Sequence, residues 1–212
     1  MSKIAAASTL GVGAAGAGGF GAYHFYFKES PSEDKSLRAK LISERYIPLE
    51  LEGNKHQDHW TSSLSQYKSK HSDKNQWSEV ELKNLCSGFF KKDEIIEKDY
   101  NEARKYCVVP RKISERLSDL SIKVLDTGET KDTDKWTKLS EEYKKSKTGF
   151  KKLHDLETSG IQSSDSTDKT LKDKCVAVFD MNHWTENYDS LLEASRIWCT
   201  ESGFNSLPKE VK

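Results

Sequence analysis

The chain has 212 residues, 34 basic and 34 acidic side chains, and a hydrophobic fraction of 34%. A formal net charge of zero excludes the broad basic footprint of a nucleic-acid-binding protein. So small an apolar share, part of it concentrated before Lys28, leaves a thin core for the remainder. Five Trp and eight Tyr supply much of the burial available, so aromatic anchors are expected in place of an aliphatic core.

The first element is IAAASTLGVGAAGAGGFGAYHFYF, 24 residues without a formal charge between Lys3 and Lys28. As an α-helix it would span roughly 36 Å, enough for the hydrocarbon core of a bilayer. Tyr23, Phe25 and Tyr26 fall where an interfacial aromatic belt would lie. The segment predicts a single-pass anchor; its many glycines leave a cleaved signal peptide as the alternative. The slight charge bias of Lys3 and the terminal amine favours the N-terminus inside and the rest outside.

Next, Ser30-Pro31-Ser32-Glu33 reads as a capping box opening a short helix that carries Leu37, Leu41, Ile42 and Tyr46. DHWTSSLSQYKSK (58–70) then returns as DKWTKLSEEYKKS (134–146), LKNLCSGFF (82–90) as LKDKCVAVF (171–179), and ARKYCV (103–108) as SRIWCT (195–200). Three blocks in the same order predict a tandem repeat. Trp60 and Tyr67, like Trp136 and Tyr143, lie two turns apart on one helix face and are expected to be core anchors. His59 against Lys135 and Ser65 against Glu141, which differ between the copies, are expected to face solvent. Ser78-Glu79-Val80-Glu81 caps a helix toward Leu82, Leu85 and Phe89. Trp136, Leu139, Tyr143, Phe150 and Leu153 form one helical seam. ETSGIQSSDSTDK, where the second copy is longer, reads as a solvated loop. Strand-type alternation is nearly absent, so the fold class is all-α: an N-terminal transmembrane helix, then a tandem repeat of helical units.

Each copy holds two cysteines, Cys86 and Cys107, then Cys175 and Cys199. An even count behind an export-like segment suggests disulfides, and duplication favours pairing within each copy. One objection is geometric: an uninterrupted helix from Asp93 to Cys107 would offset the first two sulfurs by about 15 Å. Either that helix starts late, near Asp99, or the pairing differs; four free buried thiols are the alternative. No Cys-x2-Cys or His-Glu-x-x-His pattern occurs, so no metal is expected, nor any cofactor or catalytic residue. A Ser-x-x-Lys at Ser32 with Lys147-Thr148-Gly149 is a chance echo of penicillin-binding enzymes. The basic run KKSKTGFKK (144–152) reads as a solvated helix face, and His59 and His183 as solvated or edge-of-core residues.

The glycine- and alanine-rich start MSKIAAASTLGVGAAGAGGFGAY, the paired Trp-Thr and Leu-Lys-x-x-Cys blocks, and the endings RKYCVVP and RIWCT resemble the large paralogous families of haemotropic mycoplasma proteins. The resemblance implies a membrane-anchored protein of a wall-less bacterium and carries no activity or functional residue with it. The expected organisation is an anchor or signal segment at 1–27, a juxtamembrane helical segment at 28–54, and repeats at 55–126 and 131–212. The expected function is a non-enzymatic surface protein for host interaction or antigenic display. Its partners would be membrane lipid through the N-terminal segment and a host surface component. The alternative is a structural or interaction module facing the cytoplasm with its thiols reduced.

Overall fold

Ser36 begins the first described helix: its backbone is extended and its hydroxyl accepts the Ala39 N–H at 3.2 Å. The helix carrying Leu37 and Leu41 therefore opens at Leu37, and Tyr46 lies beyond its end. In the computed structural model, residues 34–146, 150–161 and 167–208 are described. From Lys35 onward the chain falls into one compact unit, Lys35–Lys212. The anchor expected at 4–27 and the Ser30–Glu33 capping box lie outside the described residues, as does Lys147-Thr148-Gly149. Among the described residues no helix is long and apolar enough to cross a membrane.

Those residues form nine α-helices and no β-strand, an all-α fold. In chain order they are α1 (Leu37–Ser43), α2 (Gln57–Lys70), α3 (Glu79–Phe90), α4 (Glu97–Tyr106), α5 (Ile113–Asp119), α6 (Thr133–Lys145), α7 (Thr167–Phe179), α8 (Tyr188–Trp198) and α9 (Glu201–Asn205). Two hydrophobic cores divide the chain near Pro110. One is built on Leu37, Leu41, Trp60, Leu82, Cys86 and Tyr106, the other on Ile113, Leu117, Trp136, Leu171, Cys175 and Trp198.

The same local solutions recur in both halves. Just past the ends of α1 and α5, Arg45 and Ser121 each sit in the left-handed region (φ 63° and 59°). In each, the next N–H bonds the carbonyl five residues back, Tyr46 to Leu41 and Ile122 to Leu117, both 2.9 Å, which is a Schellman closure. Isolated antiparallel bridges then pair Pro48 with Val108 and Val124 with Thr200. Leu49 N–H bonds Cys107 O at 2.8 Å, and Leu125 N–H bonds Cys199 O at 3.0 Å. The tops of α1 and α5 are tied alike, Leu37 N–H to Lys92 O (2.8 Å) and Ile113 N–H to Met181 O (3.0 Å).

All four aromatic anchors are buried: Trp60 is 1% exposed, Trp136 and Tyr143 0%, and Tyr67 6%. Ser65 and Glu141 are exposed, whereas His59 and Lys135 are only half-exposed. The Ser78 capping box forms as the sequence predicts, with Glu81 accepting the Ser78 N–H at 2.8 Å. The buried face of α3 is Leu82, Cys86 and Phe90, with Leu85 and Phe89 half-buried beside it.

The seam predicted through Phe150 and Leu153 is not one helix. Helix α6 ends at Lys145 because Ser146 is extended (ψ 137°). Phe150 returns edge-on to Tyr143, ring centroids 5.1 Å apart, and Leu153 is reached through the tyrosine's other end. The Tyr143 hydroxyl accepts Leu153 N–H at 3.0 Å and donates to Leu156 O at 2.6 Å. The longer connection of the C-terminal half is likewise more than a solvated loop, since Leu153, Leu156 and Ile161 are buried in the core. Tyr143→Phe, which leaves that amide and carbonyl without their partner, should destabilise the protein by about 1–3 kcal/mol in denaturant unfolding. Amide exchange should loosen first in residues 150–161.

Candidate functional site

The cysteines are where the thin cores need them. Cys86 lies in mid-α3 and Cys107 caps α4; they are bonded, with Cα atoms 5.5 Å apart. Cys175 in α7 and Cys199 at the cap of α8 are bonded likewise, with Cα atoms 5.8 Å apart. All four are fully buried. The geometric objection dissolves because α4 begins at Glu97, after a turn through Lys91–Ile96, and is too short to carry Cys107 past Cys86. Each bridge closes a loop of 21 or 24 residues, about 3 kcal/mol in the chain-entropy model.

Those cysteines and the four aromatic anchors are spread over two separate cores and are not brought to one place. What converges instead is a set of residues at the seam between the halves. A cleft of about 550 Å³ opens there, lined among others by Tyr46, Arg104, His183, Trp184, Tyr188 and Asp189. From the N-terminal half, the C-terminal turn of α4 presents carbonyls; from the other, the segment between α7 and α8 supplies donors. His183 Nε2 lies 3.0 Å from Arg104 O, and Trp184 Nε1 donates to Lys105 O at 3.3 Å. Free carbonyls at a helix C-terminus need such partners. The Arg104 guanidinium grips Asp189 at the start of α8 with two bonds, 2.9 and 2.5 Å.

A second set lies beside it. Arg116 of α5 is 4% exposed and donates to Arg45 O (2.6 Å) and Glu44 O (2.8 Å). Its guanidinium stacks over the Tyr46 ring at 3.7 Å from the centroid. Arg45 answers with bonds to Asp119 O (3.1 Å) and Ser121 Oγ (2.6 Å). The Tyr188 hydroxyl donates to Arg111 O at 2.9 Å, and burial raises its pKa. Burial also raises Asp119, against the pull of Arg111 in the ion pair between them (2.9 Å).

His183 is therefore not a solvated or edge histidine. It is 8% exposed, and desolvation lowers its pKa to about 4, so its ring is neutral at pH 7. Of the lining side chains, His183, Trp184, Arg104 and Asp189 bond across the two halves, so the cleft reads as a docking seam. No group of three or more His, Cys, Asp or Glu able to hold a metal occurs among the described residues. The basic run is divided among ion pairs, Lys145 with Glu142, Lys151 with Glu193 and Lys152 with Glu157. Compared with protein-family models, with curated proteins and with solved structures, the chain matches none.

Arg104 was visible in the sequence as the Arg of the Arg-x-aromatic-Cys block, but its counterpart Arg196 is exposed, so repetition gives no hint of the Asp189 bond. Arg116 carries no motif at all. Arg116→Ala, which strips two carbonyls of their donor, should cost about 2–4 kcal/mol in urea unfolding. Arg104→Ala, whose ion pair is partly exposed, should cost about 1 kcal/mol or less.

Proposed function

We propose that this is a non-enzymatic, membrane-anchored surface protein whose helical part stands outside the membrane. The observation that carries this reading is the pair of buried disulfides, one in each half. Such bridges form and persist in oxidising compartments and are kept reduced in a bacterial cytoplasm. The uncharged 24-residue stretch near the N-terminus supplies the anchor, and the exposed helix faces with their mixed charges supply a display surface. Contact with a host surface component, or antigenic variation among paralogues, is the role that the resemblance to haemotropic mycoplasma proteins supports.

On the same reading, the helical part is a duplication of one unit. Recurrent bonds support unit limits near 36–109 and 112–201, wider at the N-terminal side than the blocks at 55–126 and 131–212. The segment from Ser36 to Asn54 then belongs to the first unit, because α1 corresponds to α5 and Glu50 to Asp126. Differential alkylation with protease treatment of intact cells tests the placement. All four cysteines should resist alkylation until reduced, the protein should migrate faster under non-reducing conditions, and external protease should remove the helical part. Four free thiols together with a protected helical part would instead place it in the cytoplasm.

A further inference from the structure

We infer that the seam between the two halves is an acid-opened hinge, in which protonation of His183 undocks one disulfide-stapled half from the other while both cores stay folded. The geometry has three parts. First, each half has its own core and its own disulfide, and among the described residues the apolar side chain reaching from the C-terminal half into the other core is Trp184. Second, the rest of the seam is polar: His183, Arg104 with Asp189, and Arg116 spanning to Glu44 O and Arg45 O. Third, the Arg116 Nε is buried and has no hydrogen-bond partner, so the seam already holds one incompletely satisfied cation.

A proton on His183 adds another positive charge at this place. From α4 it faces Arg104, which opposes the charge, and the carbonyls of Arg104 and Lys105, which favour it. From the start of α8, Asp189 favours it, but that carboxylate is already gripped by Arg104, and the Tyr188 ring, 5.4 Å away and with its pKa raised by burial, stays uncharged. Lys70 at the end of α2 and Lys105 add positive charge to the same cleft, and Glu186 adds one negative. Burial outweighs all of these, so the closed seam holds the ring at a pKa of about 4, below its ordinary 6.5. Opening returns the ring to water and restores the ordinary value. The open state then binds the proton more tightly, and stability of the closed seam falls as pH drops below about 6.5, levelling off near 4. At pH 4.5 the linkage raises the opening equilibrium on the order of 50-fold over pH 7.5. Local opening of this kind precedes global unfolding where a contact is polar and each side is separately cross-linked.

The test is amide hydrogen exchange on the full chain in detergent at pH 7.5 and 4.5, corrected for the intrinsic pH dependence of exchange. Segments near 100–112 and 180–190 should lose protection on the order of 50-fold at pH 4.5, while α3 and α7 keep theirs. His183→Gln retains an N–H donor for Arg104 O but cannot take up the proton, so it should abolish that acid-dependent loss. Unchanged seam protection in the wild type, an equal acid response in H183Q, or simultaneous loss of core and seam would each overturn the inference. The wild-type imidazole gives a check that needs no variant. Its NMR titration should have a midpoint well below 6.5, near where the loss of seam protection levels off, and a midpoint near 6.5 while the seam stays closed overturns it.

Discussion

The indole N–H of Trp60 bonds Glu50 O, and that of Trp136 bonds Asp126 O, each at 2.9 Å and each across ten residues. In a chain with so few aliphatic residues, this bond decides how each half is closed. It fixes the largest side chain of each core to the loop that precedes its helix, so burial of the ring and placement of the loop become one event. The loop is latched again just beyond. Glu50 N–H donates to His56 Nδ1 at 3.0 Å and Asp126 N–H to Asp132 Oδ2 at 2.9 Å, two different side chains meeting one backbone need. Burial, with Lys55 and His59 beside it, lowers the pKa of His56, which favours the neutral ring that accepts this bond. With the loop fixed, Leu49 and Leu125 reach the carbonyls of Cys107 and Cys199, and the disulfides lie directly behind that bridge. Indole, loop, bridge and disulfide thus form one connected frame in each half.

The parts of this frame differ in how far the sequence reveals them. Trp60, Tyr67, Trp136 and Tyr143 were legible because aromatic identity and helical spacing are local properties, and so was the Ser78 cap. Pairing of Cys86 with Cys107 was suggested by duplication, but its geometry depended on where α4 starts, and helix starts without a Ser, Thr, Asp or Asn cap are poorly marked. The N-cap there is Ile96, which has no side-chain acceptor to offer. The relation of α1 to α5 was hidden because the two share a buried-residue pattern, Leu37 and Leu41 against Ile113 and Leu117, without sharing a motif. Period alone also misled beyond Lys145. Phe150 and Leu153 keep a helical spacing from Tyr143, yet they arrive by a reversal of the chain that the tyrosine hydroxyl holds.

The seam was illegible for a different reason. Its bonds join residues that are 71 to 85 positions apart, Arg45 to Arg116, Glu44 to Arg116, and Arg104 to His183 and Asp189. No local pattern encodes them. Lys40 is the counterpart of Arg116, and it pairs with Glu44 and lies over the Tyr100 ring at 5.0 Å. Lys40 thus binds within its own half, whereas Arg116 bridges the two halves.

The carbonyls at the ends of α4 and α8 are met in different ways. The last turn of α4 leaves Arg104 O and Lys105 O to be met by His183 and Trp184 from the following half. At the last turn of α8 the Arg196 carbonyl is met from within the same half. Thr200, standing where the first half has Val108, donates its hydroxyl to Arg196 O at 2.6 Å and accepts Gly203 N–H at 3.0 Å, which starts α9. Gly203 then lies so close over the preceding turn that a Cβ would fall 2.0 Å from Ile197 O. Only glycine permits that approach. One hydroxyl thus meets the Arg196 carbonyl at the end of α8, and one missing side chain lets α9 fold back over that turn. The difference of Thr200-Glu201-Ser202 from Val108-Val109-Pro110 therefore has a structural consequence: a threonine hydroxyl caps α9 and meets the Arg196 carbonyl, whereas the Arg104 carbonyl is met by His183.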